Sequence, residues 1–410
     1  MSATTPPRPG EPHGTPTDRS DDASTRRAHD ELRERAHEFA ATVIRPVAWE
    51  HDRDGSWPQA VVDEFWRRRL MNGPLPDRYG GPGLGFAELC LVEEEIGWGC
   101  AGIGTSLSSN GLAMMPLLLA GSDGLKDRYL SLLGGSPALA SFGLTEPGAG
   151  SDVSALTTTA TRRGAGWVIN GTKCFITNAS YADWYTVFAR TSGERGPSGI
   201  SCFVVPYGPG VRRLGRDDLV GQRASDTCSV AFDDVEVPGD HLVGEEGRGF
   251  QLALASLDRT RTGVAALATG LARAALEFAL DYAAERVQFG VPFAEHQAVQ
   301  LLLADMATKV HLARLATLHS AELVDRGESN TLASSHAKRY AADISMEVTT
   351  DAVQIFGGNG LSRRYPVEKL MRDAKPFQIY EGTAQIQRLV IARQVLRARQ
   401  GAGSAPVSDG

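Results

Sequence analysis

The chain has 410 residues, of which 42% are hydrophobic and 22% are charged, and its formal net charge is -7 at pH 7. This length and apolar content are sufficient for two or three packed domains, so the composition indicates a globular protein. The charge is not concentrated in long blocks of one sign. This argues against nucleic acid or an anionic membrane as the main partner and leaves a small anionic ligand open.

The first 28 residues are rich in Pro, Thr, Asp, Gly and Arg and contain no hydrophobic signal core. Because they carry too little apolar surface to offset the entropy of ordering, we predict a disordered tail over residues 1–28 and a second one over residues 401–410. No run approaches the roughly 18 apolar residues of a membrane span. We therefore expect a cytoplasmic protein without a membrane partner.

Three regions follow one another by hydrophobic periodicity. Residues 29–140 have helical spacing and predict an N-terminal α-helical domain. Residues 141–245 contain short β-rich runs separated by turn residues and predict a middle β domain, a small barrel or sandwich. Helical spacing returns over residues 246–400 and predicts a helical bundle. The predicted class is α+β, and the absence of βα alternation excludes a Rossmann domain.

Two glycine-rich segments punctuate this order. The first, Glu146–Asp152, opens the β domain, and its backbone N–H groups could hold an anionic or polar ligand. An ordinary inter-domain loop is the alternative. The second, Gln354–Gly360, follows a helical run, where a single glycine would serve as a cap. Neither segment has the spacing of a dinucleotide fingerprint, and no Walker lysine follows either one.

A β-hairpin is predicted after the first glycine-rich segment, with Asn170-Gly171 as its two-residue turn. Its second strand would place Phe175 and Thr177 on one face. An aromatic ring and a hydroxyl so placed could stack near a planar ring system and hydrogen-bond one of its heteroatoms. An aromatic packed inward, with the threonine at the rim, explains the pattern equally well.

The cysteines are odd in number and show neither paired spacing nor nearby histidines. We predict reduced core thiols and not a metal site or a disulfide framework. The five residues are Cys90, Cys100, Cys174, Cys202 and Cys228.

Glu381 is the candidate catalytic residue. It lies between Tyr380 and Gly382 in an apolar and aromatic segment, just before a helical pattern. Such a setting can desolvate a carboxylate and raise its pKa, which suits a general base near neutral pH. A solvated glutamate in a loop is the alternative from local sequence alone.

Together these segments resemble the acyl-CoA dehydrogenase family, nearest to the branch acting on straight short-chain to medium-chain acyl-CoA thioesters. The resemblance runs from Leu32 to Arg399 and implies an N-terminal helical domain, a middle β domain and a C-terminal four-helix bundle. It also implies tightly bound FAD. The motifs occur in family order: SFGLTEPGAGSD from Ser141, FITN from Phe175, LDRTR from Leu257, RVQFG from Arg286, HQ from His296, QIFGGNG from Gln354 and IYEGTAQIQR from Ile379.

The resemblance implies three sets of FAD-binding residues. The first set, with the Thr177 hydroxyl near flavin N5, is Phe142, Leu144, Thr145, Gly150, Ser151, Phe175, Ile176 and Thr177. The second set is Gly382, Thr383, Ala384 and Gln385. The third set, which reaches FAD bound to a neighbouring subunit of a homotetramer, is Arg286, Gln288, Phe289, His296, Gln297, Gln354, Ile355, Gly357 and Gly358.

Substrate contacts are implied in the same way, at Ser151, Asp258, Arg261, Tyr380 and Glu381. Arg261 and Arg259 would face the CoA phosphates. Glu381 would remove the α proton while hydride leaves the β carbon for flavin N5, giving a trans-2-enoyl thioester. The thioester could be on CoA or on an acyl carrier protein. Electron-transferring flavoprotein is the expected acceptor, and no metal is expected.

Two positions depart from the family pattern. Phe175 stands where many relatives carry tryptophan, and Thr260 stands where another branch carries its base. Thr260 cannot act as a base, which leaves Glu381 without a rival. The wall of the acyl pocket is expected around Glu93 to Ser109. An acyl-CoA oxidase or flavin monooxygenase on the same scaffold, or a catalytically silent flavin-binding scaffold, are the alternatives.

Overall fold

The computed structural model describes residues 19–193 and 196–402. Its helices are α1 (Arg19–Phe39), α2 (Arg45–Asp54), α3 (Gln59–Arg67), α4 (Phe86–Gly99), α5 (Ala101–Ala120), α6 (Asp123–Leu125), α7 (Ser131–Gly135), α8 (Gly249–Glu285), α9 (Gln297–Asp325), α10 (Thr331–Phe356), α11 (Val367–Phe377) and α12 (Ala384–Ala402). Its strands are β1 (Ala140–Gly143), β2 (Thr159–Arg163), β3 (Gly166–Thr177), β4 (Trp184–Arg190), β5 (Ile200–Pro206), β6 (Val211–Arg216), β7 (Thr227–Pro238), β8 (Leu242–Val243), β9 (Val287–Gln288) and β10 (Val291–Pro292). The predicted order of helices, sheet and helices is confirmed.

Helices at both ends of the chain share one hydrophobic core. Helix α4 packs along the long helix α8, and apolar residues of α1, α4, α8, α9 and α10 form a continuous buried cluster. Glycines make the close approach of α4 and α8 possible. A Cβ atom on Gly270 would lie 2.0 Å from the carbonyl oxygen of Glu94, and one on Gly97 would lie 2.4 Å from that of Leu267. This packing holds α4 beside the segment of α8 that carries the candidate substrate residues.

The middle of the chain forms a mixed eight-stranded sheet. The strand order is β6-β7-β3-β2-β4-β5-β8, and β1 pairs in parallel with β4. Buried aromatic and β-branched side chains, such as Trp167, Tyr185 and Phe203, fill its core. The pairing of β1 directs the glycine-rich segment after Gly143 alongside β3.

The C-terminal helices form the bundle. Helices α8, α9 and α10 pack on one another, α12 packs on α10, and α11 connects α10 to the loop that carries Glu381. Alanine dominates the buried faces of α8 and α10, which allows these helices to lie close together.

Part of the predicted N-terminal tail is helical. Helix α1 begins at Arg19, so the prediction of disorder is wrong for residues 19–28, while residues 1–18 lie outside the described part of the chain. Leu32, Ala36 and Phe39 are buried and anchor the helix. Once a helix is nucleated, each added residue costs little, so it extends into the polar segment. At the other end, α12 continues to Ala402, and residues 403–410 are not described.

The predicted hairpin turn at Asn170-Gly171 is wrong. Both residues lie within β3, at an irregularity in its pairing with β7. The Asn170 side chain donates to Asp234 at 3.0 Å and accepts from the Asp234 backbone N–H at 2.8 Å, so it replaces a ladder contact. The two-residue hairpin turn is instead Gly164-Ala165, between β2 and β3. An Asn-Gly pair accommodates a bulge as readily as a turn, because Gly171 has a φ of 153° there.

Two helices are long and apolar enough to cross a membrane by length and composition, which differs from the prediction that no such segment exists. These are Ala101–Ala120 and Gly249–Glu285. Most of the apolar stretch of each is buried within the protein, 61% and 78% respectively, as in core helices. All five cysteines are buried as well, in agreement with core thiols.

Candidate active site

The loop between α11 and α12 presents Glu381 in a strained backbone conformation. Glu381 has a φ of 50° and Gly382 a φ of 89°, both in the left-handed region. This region is costly for a glutamate, so the surrounding protein must impose it. A Cβ atom on Gly382 would lie 2.4 Å from the Gln387 amide nitrogen, which explains the glycine.

Buried cations hold three successive carbonyl groups of this loop. Lys338 on α10 donates to the carbonyl oxygens of Tyr380 and Gly382, each at 2.6 Å. Arg261 on α8 donates through Nε to the carbonyl oxygen of Glu381 at 3.0 Å. Charge-assisted bonds of this kind are stronger than neutral ones, so they fix the direction of the Glu381 side chain.

The Glu381 carboxylate is largely enclosed by protein. Its side chain keeps part of its surface accessible, yet protein surrounds it closely enough that burial raises its pKa above the ordinary value. The Thr260 hydroxyl, which donates to Oε2 at 3.0 Å, and the charges of Arg261 and Lys338 oppose this rise. A partly accessible carboxylate with a raised pKa has the properties of a general base.

Thr260→Val tests the electrostatic contribution of the hydroxyl group. Valine preserves the shape and removes the donor, so the pKa of Glu381 should rise and less of the base should be ionised at neutral pH. We expect kcat/KM at pH 7 to fall by about tenfold and the acidic limb of its pH profile to move upward. Thr260→Ser, which retains the donor, should keep the wild-type profile. A profile that is unchanged in the valine variant would contradict this role.

Lys338 has a pKa lowered to about 7, mainly because burial disfavours its charge. The unfolded lysine titrates near 10.5, so between these values the unfolded chain binds more protons than the folded one. The contribution of Lys338 to the free energy of unfolding should therefore increase as the pH rises from about 7 to about 10.5. Lys338→Met should abolish that contribution and lower the unfolding free energy by about 2–3 kcal/mol, because two carbonyls lose their donor. Denaturant titrations at several pH values, with the exposed Lys375→Met as control, measure both effects.

Contacts of α5 connect the base loop to the sheet. The Tyr380 hydroxyl lies 3.3 Å from Thr105 Oγ1 and 3.4 Å from the Gln222 amide nitrogen. The next residue of α5, Ser106, accepts a hydrogen bond from the Asn178 side chain through its carbonyl oxygen at 2.8 Å. Asn178 directly follows Thr177, so the end of β3 and the base loop face the same region.

The first predicted FAD-binding set converges at the end of β3. The Cys174 N–H donates to the Thr145 carbonyl oxygen at 3.0 Å, and the Ser141 hydroxyl donates to that of Thr177 at 2.7 Å. Gly150 and Ser151 are exposed beside these residues. The structure thus places the glycine-rich segment against the strand that carries Phe175 and Thr177.

Phe175 is 63% exposed and has a φ of 55°, which excludes the alternative of an aromatic packed inward. An aromatic held at the surface in a strained conformation is expected where a ligand covers it. Apart from the chain neighbours of each glycine, no atom of the described residues lies within 4 Å of a Cβ position at Gly148 or Gly150, so a ligand can approach the backbone there. These residues fit the planar ring and phosphates of FAD. Leu144 and Ile176 are buried in hydrophobic cores, which leaves only their backbone for such contacts.

A buried ion pair fixes the glycine-rich segment. Lys173 donates to Glu146 Oε1 at 2.8 Å and to the Leu144 carbonyl oxygen at 3.1 Å. Glu146 also accepts hydrogen bonds from the backbone N–H groups of Thr157 and Thr158, at 2.6 and 2.9 Å. Lys173 and these hydrogen bonds hold the pKa of Glu146 at about 2, although burial alone would raise it.

The third predicted set lies together at one end of the bundle. Phe289 is 96% exposed with a φ of 55°, and its ring is 6.0 Å from that of His296. His296 lies 3.2 Å from the Gln288 carbonyl oxygen. The exposed residues Arg286, Gln297, Gln354, Gly357 and Gly358 occupy the same end, whereas the Ile355 side chain is buried. Such an exposed aromatic segment is suited to contact another molecule.

Two predicted substrate residues have internal partners. Arg261 is only 5% exposed, and it bonds Asp258 at 2.6 Å as well as the Glu381 carbonyl oxygen. The other oxygen of Asp258 accepts from the Thr331 hydroxyl at 2.6 Å. These bonds use Nε and Nη1 of the guanidinium, so the role of Arg261 toward the CoA phosphates stays a prediction. Arg259 is partly exposed and retains that capacity.

Sequence reasoning missed Lys338, Lys173, Gln222 and Thr105. The first of these left a signal, since Lys338 lies on the apolar face of α10, where Ala337, Ala341 and Ala342 are all buried. A lone lysine on such a face is rarely tolerated unless it bonds a specific acceptor. The contacts of the other three residues join distant segments and have no local signature. Thr383 and Gln385 lie at the start of α12, where Thr383 Oγ1 accepts from the Ile386 N–H at 3.1 Å.

Comparison with known proteins supports the family resemblance. Family models match in order, described as the acyl-CoA dehydrogenase N-terminal domain over residues 26–134, the middle domain over 141–235 and the C-terminal domain over 247–396. The chain is 42% identical to the probable acyl-CoA dehydrogenase FadE25 of Mycobacterium tuberculosis, covering 90% of this chain and 95% of that protein.

Two solved structures show the same fold. The butyryl-CoA dehydrogenase from Megasphaera elsdenii is 38% identical, with a TM-score of 0.88 over 90% of this chain and 98% of the other. A chain from work on the electron transferring flavoprotein of Acidaminococcus fermentans is 42% identical, with a TM-score of 0.88 and the same coverage. On this agreement, the chain belongs to the acyl-CoA dehydrogenase family of FAD-dependent oxidoreductases.

Proposed function

We propose that the chain catalyses α,β-dehydrogenation of a straight short-chain to medium-chain acyl-CoA, with Glu381 as the base that removes the α proton and a trans-2-enoyl thioester as product. The observation that carries this proposal is the Glu381 carboxylate itself. It is held in a strained loop, its pKa is raised by burial, and a hydroxyl donor and two cations steady its charged form.

In this reaction the carboxylate and the backbone N–H of Glu381 have separate roles. The α proton passes to the Glu381 carboxylate, and the electron pair of that C–H bond forms the new double bond as hydride leaves the β carbon. Bound FAD supplies the two-electron acceptor for that hydride. Among the hydrogen bonds between described residues, none uses the Glu381 backbone N–H, which leaves it able to donate to the thioester oxygen. Such a donor stabilises the charge that develops on that oxygen.

The first and second sets of predicted residues would hold FAD through Phe175, Thr177, the glycine-rich segment and the start of α12. We propose that the third set reaches the FAD of a neighbouring subunit in a homotetramer. The exposure of Phe289 supports this arrangement. Sedimentation analysis of wild-type protein and of Phe289→Ser should show a loss of assembly and of FAD in the variant.

The experiment for the reaction is anaerobic mixing of purified protein with a panel of acyl-CoAs while flavin absorbance is followed. Bleaching together with recovery of the trans-2-enoyl thioester is the expected result. We also propose electron-transferring flavoprotein as the acceptor. Reduced enzyme with bound product should then react with oxygen more slowly than it turns over. Reoxidation by oxygen within the turnover time would favour an oxidase instead.

A further inference from the structure

Three successive glutamates on α4 have different surroundings. Glu94 and Glu95 are buried against Arg273, at 3.1 and 2.5 Å. Glu93 is only 6% exposed, yet its Oε2 atom has no hydrogen-bond partner in the described part of the chain. Successive helical residues point about 100° apart, so Glu93 faces a different region from its neighbours. A buried carboxyl group without a partner is costly and calls for a ligand or a function.

Glycine on α8 makes room for this carboxyl group. A Cβ atom on Gly263 would lie 1.9 Å from Oε2 of Glu93, so the acid occupies the space that any other residue would fill. The Ser108 hydroxyl on α5 is also buried without a partner of normal hydrogen-bond geometry, although it lies near enough to Glu93 to oppose the rise in the pKa of that residue. Within the described part of the chain, two polar groups with no partner beyond this mutual contact therefore meet where α4, α5 and α8 converge.

The Glu93 and Ser108 side chains lie about one helical turn from the residues that contact the Glu381 loop, along both α8 and α5. On α8, Thr260 bonds the Glu381 carboxylate, and Gly263 follows three residues later on the same face. On α5, Thr105 contacts Tyr380, and Ser108 follows three residues later. Residues at this spacing lie about 5 Å apart along a helix. Helices α8 and α5 thus both extend from the reacting end of the site to Glu93.

Burial increases along this path from Glu381 to Glu93. Thr105, Ser108, Thr260 and Glu381 each retain partial accessibility, whereas Glu93 is buried at the far end. Burial raises the pKa of Glu93 to about 8, and the charge of Glu381 adds to the rise. At neutral pH, Glu93 is therefore mainly a neutral acid, able both to donate and to accept a hydrogen bond.

We propose that Glu93 and Ser108 form a polar end to the acyl site, and that the preferred thioester carries an uncharged hydrogen-bonding group, such as a hydroxyl, beyond its reacting carbons. This inference rests on the proposed dehydrogenation and adds the class of acyl group. A hydrocarbon chain would leave the Glu93 carboxyl group and the Ser108 hydroxyl with no partner but each other. A terminal carboxylate would bring a second charge toward Glu381. A site with buried hydrogen-bonding groups rejects analogues that lack the complementary group.

The test compares straight acyl-CoAs of equal length that carry a hydrogen, a hydroxyl, an amine or a carboxylate at successive carbons beyond the β carbon. The FAD-loaded wild-type protein should be reduced by one hydroxyacyl-CoA with a kcat/KM about tenfold above that of the plain chain, and the carboxylate should be poorest. Calorimetric binding of the corresponding 2-enoyl thioesters should give the same order without turnover.

Variants at Glu93 and Ser108 test whether these side chains cause the preference for the hydroxyacyl chain. Glu93→Leu should reverse the preference so that the plain chain is better, Ser108→Ala should weaken it, and Glu93→Gln should retain much of it. A plain-chain preference at every position in wild type would overturn the proposal, as would an unchanged ratio in Glu93→Leu or a preference for the amine. If Glu93→Leu does not fold, the preference of the wild-type protein and its retention in Glu93→Gln still test the proposal. Reduction by plain chains alone defeats only this inference, whereas reduction by no thioester defeats the proposed function too.

Discussion

Glu381→Gln should lose flavin bleaching by acyl-CoA by about three orders of magnitude or more, while FAD remains bound. Glutamine keeps the size of the side chain and its contact with Thr260, but it cannot accept a proton. A positioned general base contributes about 10²–10⁴-fold to such a step. The measurement is the single-turnover rate after anaerobic mixing, with thioester binding followed separately by calorimetry.

The matched control is Glu236→Gln, a change of the same kind at an exposed position of strand β7. It should leave the rate unchanged. Retained binding together with a lost rate in Glu381→Gln would assign the residue to chemistry. Bleaching at the wild-type rate in that variant would remove Glu381 from the mechanism.

Lys173→Met should lower the unfolding free energy by about 3–5 kcal/mol and deplete bound FAD. Lys173 and Glu146 are both buried, and methionine would leave the carboxylate without its cation. Removing one partner of a buried pair costs this much because the remaining charge is desolvated and unpaired. The same change releases the carbonyl of Leu144, so the glycine-rich segment should also lose its position.

Arg163→Met provides the comparison for that variant. Its pair with Glu236 has a similar distance of 2.9 Å, but both side chains are exposed. Surface pairs contribute about 0–1 kcal/mol, so stability and FAD content should hardly change. Denaturant unfolding and the flavin-to-protein absorbance ratio measure both quantities. Equal losses in the two variants would contradict the role given to the buried pair.

Periodicity predicted the order of the fold because long helices and alternating strands leave local patterns. The β-rich runs predicted within residues 141–245 form strands β2 to β8, and the helix expected after Glu381 begins at Ala384. The Asn170-Gly171 turn failed for a physical reason, since the same pair satisfies a bulge when its side chain bonds the neighbouring strand. The local sequence around Asn170 does not show that β7 lies beside it.

The candidate site was predictable only in part. Glu381 and Thr260 were recognised from motifs, but the bond between them joins residues 121 positions apart. The bond from Arg261 to the Glu381 carbonyl oxygen likewise depends on the fold and leaves no local sequence signal. Glu93 was expected only as part of a pocket wall. Its missing partner becomes visible once Gly263 is placed against it.

The most direct test of the central claim separates proton removal from hydride transfer. An acyl-CoA whose β carbon is replaced by sulfur has no β hydrogen to transfer, so only the α position can react. With this analogue deuterated at the α carbon, the wild-type protein should release deuterium to the solvent, and Glu381→Gln should not, as measured by mass spectrometry of the recovered thioester. Equal loss of deuterium with both proteins would contradict the assignment of Glu381 as the base.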